Sequence, residues 1–120
     1  MSQVVIGVVM VFFAGMGIYG LIWPTSLVAP FGTALLSADG RNEVRAVYGG
    51  FGLAVAVALA LAMNDVGLRD GVTTTIALAL AGMAAGRIVS MVVERPSRFY
   101  PTVFYLLVEA ALAAALSAAH

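Results

Sequence analysis

The sequence predicts an all-α polytopic membrane protein, a bundle of four transmembrane helices forming one domain over residues 1–120. Three observations predict it. The chain is 62% hydrophobic and only 10% charged, whereas a soluble domain is about 25% charged. Its mean hydropathy is +1.05. Its apolar residues gather into four segments of roughly 17–25 residues, the length a bilayer span requires. Six basic and six acidic side chains could not keep so much apolar surface in water, so lipid is the expected solvent.

The first span is read at residues 4–23, "VVIGVVMVFFAGMGIYGLIW". Trp23 belongs at the interface and Pro24 stops the helix behind it. The apolar run is longer than the core of a signal peptide and no Lys or Arg precedes it, so it is read as a retained span. The connection that follows contains "SLVAPFGTALL", which is apolar for a loop. It is expected to lie in the interface or dip into the bundle, where protein must cover its backbone. Asp39-Gly40 reads as a turn and Asn42 as the N-cap of the second span, residues 44–63. After "NDVGLRDG", the Thr73-Thr74-Thr75 run can cap the third span, 72–93. After "ERPSR", Pro101 suits the first turn of the fourth, 100–119.

Small residues mark expected packing faces. Gly82 and Gly86 form a small-xxx-small ladder on the third span, and Gly49, Gly50 and Gly52 do similar work on the second. Such ladders let helix backbones approach closely in lipid. They indicate a bundle and carry no information about a ligand.

Charge and composition exclude several functions. The net charge is zero, which argues against nucleic acid as a partner. There is no cysteine, so disulfides and thiolate metal sites are excluded. The single histidine is His120, which removes bis-histidine haem and clustered-histidine metal sites. No catalytic residue, metal ligand or cofactor is assigned. Arg41, Arg95 and Arg98, with Arg45 just inside a span, fall on one side of the membrane, and Arg69 alone on the other. The positive-inside rule then places both termini outside the cytoplasm.

The ionisable residues at membrane depth are the chemical signal. Arg87 is expected about 9–10 Å from the cytoplasmic end of its span and Glu109 roughly 13–15 Å from the same side. The levels differ by one helical turn, which an arginine side chain can bridge. Isolated charges at such depth are unfavourable and normally face a partner inside the bundle. Arg45, Tyr48, Gly49 and Gly52 share one helical face, as do Arg87 and Ser90, and Tyr105 and Glu109. A polar cluster of Asn42, Glu43, Arg45, Tyr48, Arg87, Ser90, Tyr105 and Glu109 is therefore expected in the cytoplasmic half. Each member also has a structural alternative. Glu43 suits a helix N-terminus, and Arg45 can reach lipid phosphates. Arg87 with Glu109 can be a pair that fixes helix register. Tyr48 and Tyr105 can be interfacial aromatics, and Ser90 can bond a neighbouring helix.

These motifs carry a resemblance. "NEVRAVYGGFGLA", then "GRIVSMVVERPS", then a final span with one glutamate resembles a bacterial family of small integral membrane proteins known only as a domain of unknown function. The family pattern is similar to N-E-x-R-A-x-Y-G-G followed by G-R-x-x-S and a late glutamate. It falls here on Asn42, Glu43, Arg45, Ala46, Tyr48, Gly49 and Gly50, then Gly86, Arg87 and Ser90, then Glu109. The resemblance covers about residues 40–115 and implies a four-helix protein of the bacterial inner membrane, with no established activity.

Three functions fit. One is a module that binds or moves a small amphipathic or lipid-like ligand with an acidic or polar head and a greasy tail, such as a lipid, an isoprenoid or a quinone, at the Arg/Glu cluster. The second is a structural or accessory subunit within a homo-oligomer or larger membrane complex. The third, a membrane-embedded enzyme, has least support, since Ser90 has no histidine base.

Overall fold

The computed structural model describes residues 2–118. Five helices make up the fold, and no strand occurs among the described residues. They are α1 (Ser2–Ile22), α2 (Pro24–Val28), α3 (Ala38–Asn64), α4 (Val66–Val93) and α5 (Thr102–Ala118). A 3₁₀ turn, Ala29–Phe31, extends α2 and ends at Gly32, whose φ of 76° is the left-handed conformation that glycine adopts without penalty. Three stretches, Gln3–Ile22, α3 and α4, are long and apolar enough to cross a membrane, and α5 is a shorter apolar helix.

Local chemistry sets the helix starts, and it moves several from where the sequence places them. The second long helix begins at Ala38, because Ser37 accepts a hydrogen bond at its Oγ from the Gly40 N–H at 3.1 Å. Asp39 and Gly40 therefore lie in the first turn, and Asn42 is inside the helix. The next helix begins at Val66, because Asp65 Oδ1 accepts from the Gly67 N–H at 2.9 Å. The polar run read as a connection is thus helical. Thr73, instead of capping, donates its buried hydroxyl back to the Arg69 carbonyl at 2.7 Å. The last helix starts at Thr102, with the Tyr105 N–H donating to the Pro101 carbonyl at 3.0 Å. Its expected end at residue 119, and His120, lie outside the described residues.

The long α3 changes pitch midway. Ala38–Val44 is α-helical, Arg45–Gly50 forms a π turn, and Phe51–Asn64 resumes the α-helix. The Phe51 N–H reaches back five residues to the Ala46 carbonyl. Such turns widen the helix locally and are frequent at functional sites.

The long helices and α5 pack side by side in chain order, α1 on α3, α3 on α4, and α4 on α5, while α5 meets α1 only sparsely. The common core sits at one end, where Ile6 and Val9 of α1 meet Leu59 of α3, Leu80 of α4 and Leu116 of α5. Arg69 closes that end by donating to the Ala62 and Met63 carbonyls at 3.0 and 3.1 Å, the last acceptors of α3.

Glycine makes the α1–α3 seam. A Cβ on Gly52 would lie 2.9 Å from the Phe13 carbonyl oxygen, and one on Gly17 would lie 2.7 Å from the Leu53 nitrogen. Gly49 is equally tight against Leu21, at 2.8 Å. By contrast, Gly50 would meet only the Arg45 carbonyl oxygen, at 3.8 Å, and Gly82 and Gly86 face open space.

At the opposite end the helices part. Into the gap comes α2, with Pro24 and Val28 buried. The apolar connection thus packs against the bundle. Much apolar surface stays outside: only 28%, 28% and 22% of the most apolar windows of α1, α3 and α4 is buried.

Candidate functional site

The core stripes of α4 and α5 each end in a charge. On α4, buried Ala77, Leu80 and Ala84 lead at helical spacing to Arg87. On α5, buried Leu116 and Ala113 lead back to Glu109. The two side chains meet in a bidentate pair: Arg87 Nε donates to Glu109 Oε1 at 2.7 Å and Arg87 Nη2 donates to Oε2 at 3.0 Å. The pair is asymmetric. The Glu109 side chain is 2% exposed and that of Arg87 is 24% exposed.

Arg87 is exposed toward a cavity of about 350 Å³. Its walls come from α1 (Phe12, Met16, Tyr19), from Tyr48 in the π turn, and from Met83, Arg87, Tyr105 and Glu109 on α4 and α5. Leu27, Pro30 and Phe31 of the α2 connection cover it. The Arg87 Cζ stands 5.7 Å from the ring centres of both Phe31 and Tyr105, and those two rings are 5.7 Å apart. Guanidinium and rings form a triangle in which the cation meets both π systems. Tyr100 extends the aromatic wall, its ring 5.9 Å from that of Tyr105. The cover is also held by charge, since Arg98 Nη2 donates to the Pro30 carbonyl at 3.0 Å.

Of the residues singled out in the sequence, the structure brings Tyr48, Arg87, Tyr105 and Glu109 to this cavity. Asn42, Glu43, Arg45 and Ser90 are not among its lining residues. Asn42 and Glu43 are exposed in the early turns of α3, and Ser90 is exposed on α4. Arg45 has a different partner: its Nε donates to the Leu21 carbonyl at 3.0 Å. α1 ends at Ile22 and Pro24 begins α2, so carbonyls in the last turn of α1 need donors from outside that helix. Arg45 supplies one across the seam. Sequence reasoning passed over Tyr19, Phe31 and Tyr100. Their signal was aromatic residues flanking the two Pro-containing connections, which alone does not separate cavity walls from interfacial aromatics.

Of the five N–H donors of a guanidinium, two serve Glu109, and the other three have no acceptor among the described residues. Both Glu109 oxygens already accept. The cavity therefore offers donors from Arg87 and hydroxyls from tyrosines, inside an apolar and aromatic enclosure.

Comparison with known proteins gives one assignment. No curated protein and no solved structure matches the chain significantly. A family model described as "Domain of unknown function (DUF4345)" matches residues 1–120. The chain belongs to the DUF4345 family.

Proposed function

We propose that this protein is a four-span protein of the bacterial inner membrane that binds or moves a small amphipathic, lipid-like ligand in the Arg87 cavity. The observation that carries the reading is a guanidinium lining a cavity of about 350 Å³, with three donors that meet no acceptor among the described residues. That volume falls in the range of small-molecule sites, about 300–1,000 Å³. Ionisable groups at membrane depth mark functional sites by default. With 17 residues, α5 is about 25 Å long, within reach of the roughly 30 Å hydrocarbon core with its flanking residues. The excess of arginine on the connections beside the cavity favours that end as cytoplasmic, with both termini on the opposite side.

Gly15 supplies the test. It lines the cavity, and a Cβ there meets nothing within 4 Å. Gly15→Phe should fill the space without disturbing the α1–α3 seam. Lipid extraction and mass spectrometry of purified wild-type protein should find an enriched amphiphile that Gly15→Phe lacks. Equal lipid content in the two proteins contradicts the proposal.

A second reading, a subunit of a homo-oligomer or larger complex, is favoured by the exposed face of α4, where Gly82 and Gly86 meet no neighbour within 4 Å. Under that reading Gly82→Leu should disrupt co-purification of a stoichiometric partner from native membranes and leave the lipid content of the cavity unchanged.

A further inference from the structure

We infer that the ligand is an uncharged amphiphile whose head presents hydrogen-bond acceptors, such as ester carbonyl or hydroxyl oxygens, rather than an anionic lipid. This rests on the cavity being a binding site, as proposed above, and names what the site selects.

The charge sum carries the inference. Among the lining residues Arg87 is the one cation and Glu109 the one anion, and they are joined oxygen to nitrogen in a bidentate pair. Their charges cancel. Arg45 and Arg98, the nearby arginines that could tip the balance toward an anion, are not among the lining residues; Arg45 donates to the Leu21 carbonyl and Arg98 to that of Pro30. An anionic head would have to share Arg87 with a carboxylate that is 2% exposed. It would bring a second negative charge beside one that water does not screen, and like charges so placed are strongly disfavoured. A neutral head brings no such conflict. The hydrogen-bonding sense agrees: each Glu109 oxygen already accepts from Arg87 and that side chain is 2% exposed, whereas Arg87 has donors beyond those two, so the complementary head supplies acceptors. The aromatic walls and the limited volume suit the head and the first part of a chain. Contact between α1 and α5 is sparse, and the rest of the chain would pass between them to reach lipid.

The test uses two probes with the same twelve-carbon chain, 1-monolauroylglycerol and dodecyl phosphate, titrated into detergent-purified full-length protein and read as adducts by native mass spectrometry. Gly15→Phe defines adducts that do not occupy the cavity. Wild type should bind monolauroylglycerol more than roughly tenfold tighter than dodecyl phosphate. Glu109→Gln keeps the side-chain shape and leaves Arg87 uncompensated, so the preference should reverse. If Glu109→Gln does not fold, Arg87→Met combined with Glu109→Leu removes both charges, and the preference should fall to near unity. Tighter binding of dodecyl phosphate by wild type overturns the inference and leaves the binding site standing. A neutral preference that survives these substitutions unchanged overturns it as well, since the pair would not be the selector. No adduct above the Gly15→Phe level with either probe removes the binding reading itself.

Discussion

Arg87→Met should be strongly destabilising. The side chain it replaces supplies both hydrogen bonds to Glu109, at 2.7 and 3.0 Å, and Glu109 is 2% exposed. Without the guanidinium, a buried carboxylate is left with no charge partner, a loss of about 3–5 kcal/mol. The reverse substitution, Glu109→Leu, should be milder. Arg87 is 24% exposed toward the cavity and keeps the faces of Phe31 and Tyr105, each 5.7 Å from its Cζ. Cation–π contacts of about 0.5–2 kcal/mol offset part of what it loses, so a cost of about 1–3 kcal/mol is expected. The double variant removes both charges and fills the space with apolar atoms, which is often neutral in a protein interior. A double-mutant cycle should therefore give a coupling of about 4–8 kcal/mol, close to the two single costs combined. The assay is reversible unfolding in mixed micelles, followed by the fluorescence of the single tryptophan, Trp23. Strict additivity, or an Arg87→Met protein within about 1 kcal/mol of wild type, would refute the claim that the pair is a buried, mutually dependent unit.

Further outcomes follow from the same geometry. Gly52→Ala places a Cβ 2.9 Å from a backbone carbonyl and should cost about 1–3 kcal/mol by forcing α1 from α3. Gly82→Ala and Gly86→Ala meet open space and should raise thermal stability by up to about 1 kcal/mol through helix propensity. Arg45→Ala removes the donor to the Leu21 carbonyl and should cost about 1–3 kcal/mol, with faster hydrogen exchange at the end of α1. Arg98→Ala releases the cover from its contact at the Pro30 carbonyl and should speed ligand exchange, read by displacement kinetics, without loss of the fold.

How much of this was legible in the sequence differs by element. The apolar segments gave the long helices, because lipid-length hydrophobic runs have few other structures open to them. The Arg87–Glu109 contact was legible because two charges at similar depth in an apolar chain have few partners but each other. Helix starts were less legible. Asp65 and Ser37 are short polar residues that serve equally in turns and as caps, so "NDVGLRDG" read as a connection although all of it from Val66 is helical. The role of Arg45 was hidden for a related reason. It depends on the break at Pro24 and on the π turn, two local irregularities that together bring residues 24 apart in sequence into contact. The glycines show the limit of composition: Gly52 and Gly82 look alike in a ladder, yet one touches a backbone and the other meets open space.

The most direct test of the account is an experimental density map of the protein purified in lipid, read at the cavity beside Arg87. The account predicts continuous non-protein density within hydrogen-bond distance of the Arg87 donors that Glu109 does not use, extending between α1 and α5. A cavity occupied only by water, or closed by α1 packing directly against Tyr105 and Glu109, would contradict it.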